Sequence, residues 1–135
     1  MWRECTNSDE LERFFSSRGF EIIRPEGHSI AEQARIFSEA RVVAGYIGSA
    51  LYNIMFAASD IDVVGFVNES YVATNEFLIS SVMGHRLHMF FGNEFGKEGR
   101  SKDVDGRPVG GTNSDYFFDL KRNGPQLEDL LDRIG

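Results

Sequence analysis

A near-continuous apolar segment in the middle of the chain restricts the fold more than any other feature. It runs from Ile61 to Val67 and reads Ile-Asp-Val-Val-Gly-Phe-Val. A strand that is apolar on both faces is typical of a parallel sheet covered by other elements, whereas a strand exposed on one side alternates apolar and polar residues. We therefore expect an inner strand of a largely parallel sheet, which requires crossover connections to its neighbours.

The remaining segments alternate between helical and extended patterns. Apolar spacing predicts helices near residues 8–18 and 70–83, a short helix after Gly48 and a final helix ending near Ile134. A further helix is predicted to open after Ser29, with Ile30, Ala34 and Phe37 on one face. Further strands are predicted at Phe20–Ile23, Arg41–Tyr46, Leu87–Phe91 and Tyr116–Leu120. This order predicts an α/β fold with a Rossmann-like, mostly parallel sheet and helices on both faces.

Two kinds of local signal refine the helices. Capping-box spacing occurs at Ser29 and Glu32 and again at Asn7 and Glu10. The apolar residues expected to face the core in the 70–83 helix are Val72, Leu78, Ile79 and Val82. The short helix after Gly48 is expected to turn Leu51, Ile54 and Met55 inward.

A length of 135 residues fits one domain, and we expect a single Rossmann-like domain over residues 1–135. Residues 92–114 contain six glycines and many charges, so we expect a long loop there that is either functional or mobile. The expected core is sizeable, because a chain of this length buries about two thirds of its unfolded surface.

Charge and cysteine content exclude several classes of function. The net charge of −7 disfavours nucleic acid and anionic membranes as partners. The apolar runs are too short for a transmembrane helix, and the polar N-terminus is not a signal peptide. One cysteine, Cys5, allows neither an internal disulfide nor a cysteine-built zinc site and fits a reducing compartment. A cytoplasmic protein without a metal cofactor is therefore expected.

A glycine-containing turn follows the Arg41–Tyr46 strand. Ligands of open parallel sheets bind beyond the carboxyl ends of the strands, and Gly45, Gly48, Ser49 and Ala50 fall at this edge. The backbone N–H groups of such a turn suit a phosphate. A turn glycine followed by a serine N-cap explains the same residues without a ligand, and neither a GxGxxG motif nor a Walker lysine is present.

Four polar residues are expected at the same edge. His28, Glu32 and Gln33 lie at the start of a helix, and Asn53 lies one turn into the helix after Gly48. Each has a structural alternative, since Glu32 completes a capping box and the others suit a solvated surface.

Two Asp-x-Asp motifs are weak metal candidates. Asp60 and Asp62 precede their strand, at the opposite end of the sheet from the expected cleft. Asp103 and Asp105 lack the further acidic ligands of a calcium loop. No catalytic residue can be named from the spacing of serine, histidine and carboxylate residues.

An ordered set of residues resembles a known family. The set is Asn7–Leu11, Gly19–Ile23, Pro25-Glu26, Ser29–Gln33, Phe37, Ala40, Val43, Gly45, Gly48–Leu51, Asn53, Phe56 and Gly84. It resembles the C-terminal half of family 61 glycosyltransferases, which include capsular polysaccharide biosynthesis proteins. The resemblance covers about residues 3–91, and no single motif within it is diagnostic.

The resemblance implies a GT-B architecture of two Rossmann-like domains and an inverting transfer from a nucleotide sugar. It implies that Gly48, Ser49 and Ala50 meet the donor diphosphate and that Glu32 and Asn53 lie near the donor. Ile47 stands where the family usually has histidine, and Gly65 stands at or near a usual glutamate. The N-terminal domain of the architecture is expected to be absent.

Three functional hypotheses follow. The first is the donor-binding half of a glycosyltransferase of capsular polysaccharide biosynthesis, in truncated or split form, with a partner chain supplying the acceptor half. The second is a catalytically inactive remnant that binds a partner or forms a homodimer. The third is an unrelated small nucleotide-binding α/β protein, and the missing phosphate-loop motifs count against it.

Overall fold

The computed structural model describes residues 4–69, 72–94 and 116–135. The described elements are α1 (Ser8–Ser17), η1 (Pro25–Gly27), α2 (Ile30–Glu39), β1 (Val42–Tyr46), η2 (Ser49–Phe56), β2 (Asp62–Asn68), α3 (Thr74–Met83), β3 (Arg86–Glu94), β4 (Tyr116–Phe117) and α4 (Leu120–Ile134), where η denotes a 3₁₀ helix. Strand β3 takes up the first residues of the predicted 92–114 loop, and the rest of that loop lies outside the described residues.

The chain divides into two compact units. The first unit comprises Met1–Ile22, Val67–Val72 and Phe91–Arg133, and the second comprises Ile23–Phe66, Ala73–Phe90 and Ile134–Gly135. The eight residues expected at the donor site, from His28 to Asn53, belong to the second unit. The single domain over residues 1–135 stays a prediction.

Three parallel strands organise the second unit. Strand β1 pairs with β2 in parallel, from Val42 opposite Asp62 to Tyr46 opposite Phe66. The Arg86 N–H donates to the Ile61 carbonyl at 2.9 Å, and the strands follow the order β1-β2-β3-β4. All seven residues of β2 are buried. The prediction of a mixed α/β fold with a mostly parallel sheet is confirmed.

Helices α2, η2 and α3 alternate with these strands along the chain. Helix η2 connects β1 to β2, α3 connects β2 to β3, and η2 contacts both α2 and α3. Both connections step in the same direction along the sheet, so right-handed crossovers place η2 and α3 on one face. The expectation of helices on both faces stays a prediction.

Strand pairing in the first unit involves the N-terminal segment. The Thr6 N–H donates to the Tyr116 carbonyl at 2.8 Å, and the Tyr116 N–H donates to the Glu4 carbonyl at 2.9 Å. The Asn7 side chain extends this pairing, because its Nδ2 donates to the Phe118 carbonyl at 2.7 Å and its Oδ1 accepts from the Phe118 N–H at 3.0 Å. The predicted capping box at Asn7 is therefore wrong, since its side chain bonds the backbone of Phe118, directly after β4, and makes no capping bond to α1.

The predicted strand at Phe20–Ile23 is also wrong. Residues 20–24 form no helix or strand. The Phe20 N–H donates to the Phe15 carbonyl at 3.1 Å, and the two rings pack edge to face with centroids 5.1 Å apart. Phe20 thus closes the end of α1, although its residue type suits a strand.

Strand β4 is shorter than the predicted Tyr116–Leu120. It contains Tyr116 and Phe117 and pairs with the end of β3 in antiparallel orientation. Asp119 then starts α4, because its carboxylate accepts from the N–H groups of Lys121 at 3.0 Å and Arg122 at 3.2 Å. The N-terminal cap of the last helix therefore ends the strand.

The predicted core face of the 70–83 helix is wrong at three of its four residues, since only Ile79 is half-buried. Val72, Leu78 and Val82 are 72%, 60% and 84% exposed, whereas Glu76 and Ser80 are buried. Apolar periodicity identifies a helix face, but the contacts with η2 decide which face turns inward.

The prediction that Met55 faces inward is also wrong. Helix η2 is a 3₁₀ helix with about three residues per turn, so Leu51 and Ile54 share its inner face. Met55, one position further along, is 49% exposed.

Candidate functional site

The candidate residues gather at the carboxyl edge of the second unit's parallel strands. Strand β1 ends at Tyr46, and the turn into η2 follows directly. Helix α2 precedes β1 and leads back to its start, so the first turn of α2 lies at this same edge. The hydrogen bond from Asn53 to Gln33 and the contacts between α2 and η2 show that the two segments are neighbours.

Gln33 connects the loop before α2 with η2. Its Nε2 donates to the Pro25 carbonyl at 2.7 Å and to the His28 carbonyl at 3.0 Å. Its Oε1 accepts from Asn53 Nδ2 at 2.8 Å, and Asn53 also donates to the Ala50 carbonyl at 3.2 Å. The sequence placed Gln33 and Asn53 at one edge but did not reveal that they bond each other.

Glu32 and Ser29 form the predicted capping box. The Ser29 N–H donates to Glu32 Oε2 at 3.0 Å, and the Glu32 N–H donates to Ser29 Oγ at 3.2 Å. His28 Nδ1 lies 3.4 Å from Glu32 Oε2. The Ser29 N–H, and secondarily His28, hold the pKa of Glu32 below its usual value. Glu32 does not suit a general base, because its lowered pKa makes it a weaker base and its carboxylate is already engaged in the capping box.

Gly48 gives the turn between β1 and η2 its shape. Its φ of 150° and ψ of −174° belong to a region that only glycine adopts without strain. The residue is buried, whereas Ser49 and Ala50 are exposed. Their N–H groups open η2, where no preceding helical turn can accept from them. The N–H groups of these two exposed residues, together with the helix dipole, are suited to an anionic group.

Packing accounts for the other glycine of this segment. An added Cβ at Gly45 would lie 3.1 Å from Leu51 Cδ1, so the glycine lets η2 approach β1 closely. A direct contact between Gly45 and a donor stays a prediction.

The two departures from the family pattern meet in space. An added Cβ at Gly65 would lie 2.8 Å from Ile47 Cδ1 and 3.0 Å from Met89 Sδ. Ile47 is itself buried. The space above Gly65 is therefore filled by the Ile47 side chain, which makes this part of the edge apolar.

The first Asp-x-Asp motif lies at the opposite, amino edge of the strands, as predicted. Asp62 accepts from Arg86 Nε at 2.9 Å and Nη2 at 2.8 Å, and it pairs with His88 Nε2 at 2.9 Å. Asp60 also pairs with Arg86. The Arg86 hydrogen bonds hold the pKa of Asp62 below its usual value. Its carboxylate is thus neutralised by the Arg86 guanidinium and already engaged by His88.

The described residues contain neither a candidate metal site nor a candidate membrane-spanning helix. No group of three or more histidine, cysteine, aspartate or glutamate side chains is placed to hold an ion in residues 4–69, 72–94 and 116–135. Within those same ranges, no helix combines the length and apolar character needed to cross a bilayer. Asp103 and Asp105 lie outside the described residues.

Sequence reasoning missed three residues of α3 and η2. Asn75 Nδ2 donates to the Tyr52 hydroxyl at 2.8 Å, which connects the first turn of α3 to η2. Glu76 follows in the same turn and is completely buried. Neither carboxylate oxygen has a hydrogen-bond partner in the described structure. The apolar spacing of α3 predicts that the face with Leu78 and Val82 is buried, so it gave no signal that Glu76 lies inside.

Comparison with known proteins supports part of the resemblance. The family model described as Glycosyltransferase 61 matches residues 1–64. The matched segment contains all eight candidate residues from His28 to Asn53, whereas the resemblance seen in the sequence continued to about residue 91. No curated protein and no solved structure matches the chain. The match supports a family 61 glycosyltransferase segment and suggests glycosyl transfer.

Proposed function

We propose that this chain is the donor-binding half of a nucleotide-sugar-dependent, inverting glycosyltransferase of capsular polysaccharide biosynthesis. The observation that carries the proposal is the coincidence of the family match with the carboxyl-edge residues. Residues 1–64 contain both the Gly48 turn and the Gln33–Asn53 hydrogen bond. The whole enzyme has a GT-B architecture in this proposal, and a partner chain supplies the acceptor half.

The donor diphosphate binds at the turn after β1. The backbone N–H groups of Ser49 and Ala50 donate to its oxygens, and Gly48 supplies the backbone conformation. Fixed donors of this kind stabilise the charge that develops on a leaving diphosphate. No metal ion is required in this proposal, because backbone donors and the helix dipole take its place.

Gln33 and Asn53 maintain the shape of the donor site. Gln33 bonds two carbonyls of the loop before α2 and the Asn53 side chain, so it fixes three segments at once. His28, whose ring is partly exposed beside Glu32, is placed to contact the rest of the donor. Because Glu32 is engaged in its capping box, the general base for the acceptor must come from elsewhere.

This assignment predicts binding without turnover by the chain alone. It also places the protein in the cytoplasm, which suits a chain with one buried cysteine.

An NMR shift titration tests the assignment. The labelled chain is titrated with UDP, GDP, CMP and their common sugar conjugates. We expect saturable shifts for one nucleotide, centred on Ser29–Gln33 and Gly45–Asn53. Substitution Gln33→Ala should weaken that nucleotide about 3- to 10-fold, because a supporting hydrogen bond contributes about 1 kcal/mol.

Ser38→Ala is the matched control. Ser38 lies at the other end of α2, where its hydroxyl donates to the Arg35 carbonyl at 2.7 Å. This variant should bind like the wild type. Equal weakening in both variants would contradict the proposed site, because it would trace the loss to α2 stability.

A second candidate function is an inactive remnant that serves as a binding module. The contact of Ile47 with Gly65 favours it, because an apolar side chain fills the place where the family usually has polar residues. Absence of shifts at millimolar nucleotide in a folded sample would support this candidate and overturn the first.

A further inference from the structure

In helix α3, polar side chains face inward and apolar side chains face outward, the reverse of an ordinary surface helix. Its inward residues Glu76 and Ser80 are polar and buried. Its outward residues Phe77, Leu78 and Val82 are 49%, 60% and 84% exposed. Grouped exposed apolar side chains on one helix mark interaction surfaces, whereas single exposed ones are common everywhere.

The neighbouring helix η2 continues this character. It contacts α3 and exposes Met55 by 49% and Phe56 by 36%. No residue of η2 is ionisable except the Tyr52 phenol, and the only carboxylate of α3, Glu76, is buried. The two helices therefore present an uncharged apolar surface in a chain whose net charge is −7.

We propose that the outer surface of α3 and η2 is the contact between two copies of this chain. Two copies with a charge of −7 each repel one another wherever their acidic residues approach. The α3–η2 surface is a place where both can approach without bringing like charges together. A partner recognised through charge would find no complementary group there.

A two-fold symmetric contact suits this composition. In such a contact the same patch of each copy faces its equivalent, so apolar side chains meet apolar side chains. The core of homodimer interfaces is more apolar than the remaining surface and is depleted in charge. Leu78 is the fifth of the ten residues of α3, so an antiparallel pair of α3 helices brings the two Leu78 residues near the axis.

Sedimentation equilibrium of the purified chain tests the interface. We expect a reversible dimer between about 10 µM and about 1 mM, with a dissociation constant that falls as salt is raised, because salt screens the repulsion. Val82→Lys should raise the dissociation constant about tenfold or more, since the contact would then bury a charged ammonium group against apolar side chains. Lysine suits the last turn of a helix, so the fold should persist.

Ile30→Lys is the control for adding a lysine at an exposed aliphatic position. Ile30 is 70% exposed on α2, outside the proposed contact. Its dissociation constant should equal that of the wild type. An equal effect of both lysines would overturn the proposed surface.

Charge exchange at Leu78 identifies the occupant as a second copy. Leu78→Lys and Leu78→Glu should each be monomeric, and an equimolar mixture should recover the dimer. A folded wild type that stays monomeric near 1 mM overturns the proposal and indicates that another protein or domain covers the surface. A dimer that resists both substitutions places the contact elsewhere and also overturns it.

Discussion

Helices α2 and α3 are both ten residues long and both pack against η2, but they use their side chains in opposite ways. Helix α2 begins with a complete capping box, and its charged residues Glu32, Arg35 and Glu39 are exposed. The N-cap residue of α3 is Ala73, whose side chain cannot cap the helix, and α3 buries Glu76 and Ser80. The difference shows that helix ends follow local chemistry, whereas the buried face follows tertiary packing.

The two helices also differ in how they treat a carboxylate in the first turn. Glu32 in α2 is exposed and accepts from the Ser29 N–H. Glu76 in α3 is buried, and neither oxygen has a partner in the described structure. Burying a polar group without a hydrogen bond costs about 1–3 kcal/mol or more. The burial of Glu76 in α3 therefore lowers the free energy of unfolding.

The largest expected effect is from removing this carboxylate. Glu76→Met should raise the free energy of unfolding by about 1–4 kcal/mol, because an apolar side chain of similar volume replaces an unpaired polar group. Urea denaturation measures the change, at a concentration low enough to avoid association between copies.

Glu39→Met on α2 is the matched control. Glu39 pairs with Arg35 at 3.4 Å, and both side chains are mostly exposed. Its substitution should change stability by less than about 0.5 kcal/mol. A loss of stability in Glu76→Met would contradict the comparison, because it would show that the carboxylate has a stabilising partner in solution.

The sequence predicts much of the second unit for identifiable reasons. The apolar run of β2 indicates a buried strand, and Ser29 and Glu32 define the start of α2 through contacts within four residues. Both signals are local, and both are confirmed. The mixed α/β class follows from the order of such segments.

The failures have a common physical cause. Asn7 has capping-box spacing, but its amide bonds Phe118, more than a hundred residues away in the sequence. The exposed face of α3 likewise depends on contacts with η2 that periodicity does not contain. Long-range partners decide both cases, so the sequence alone could not.

The same distinction applies to the candidate site. Glycine and polar residues at a predicted strand end placed Gly48 and Gln33 at one edge from local rules. The bond from Asn53 to Gln33 and the packing of Ile47 over Gly65 required the fold. Donor binding by any of these residues stays a prediction.

A smaller effect distinguishes two serines in the two helices. Ser29→Ala should lower the free energy of unfolding by about 1 kcal/mol, because the Glu32 N–H loses its acceptor. Ser80→Ala should leave stability unchanged or raise it, since the Ser80 hydroxyl is buried without a partner and alanine favours helix. Urea denaturation of both variants checks the pair. Equal losses would contradict the comparison, because they would show that the Ser80 hydroxyl stabilises the fold as much as the Ser29 hydroxyl does.

The smallest expected effect is the pH dependence of the α2 capping box. The Ser29 N–H holds the pKa of Glu32 below its usual value of 4.5. A carboxylate with a lowered folded pKa stabilises the protein above its unfolded pKa, and this contribution is lost as the pH falls through the folded pKa. The stability advantage of wild type over Glu32→Gln should therefore shrink between about pH 6 and about pH 3.

Subtraction between the two proteins isolates Glu32 from other acid-sensitive groups. Asp62, whose pKa is also lowered, chiefly by Arg86, destabilises both proteins equally at low pH and cancels in the difference. Added salt should reduce the remaining difference, because Glu32 is exposed and its charge is screened. A difference that stays constant with pH would show that only the geometry of the capping box matters. Its ionisation would then contribute nothing to the contrast between α2 and α3.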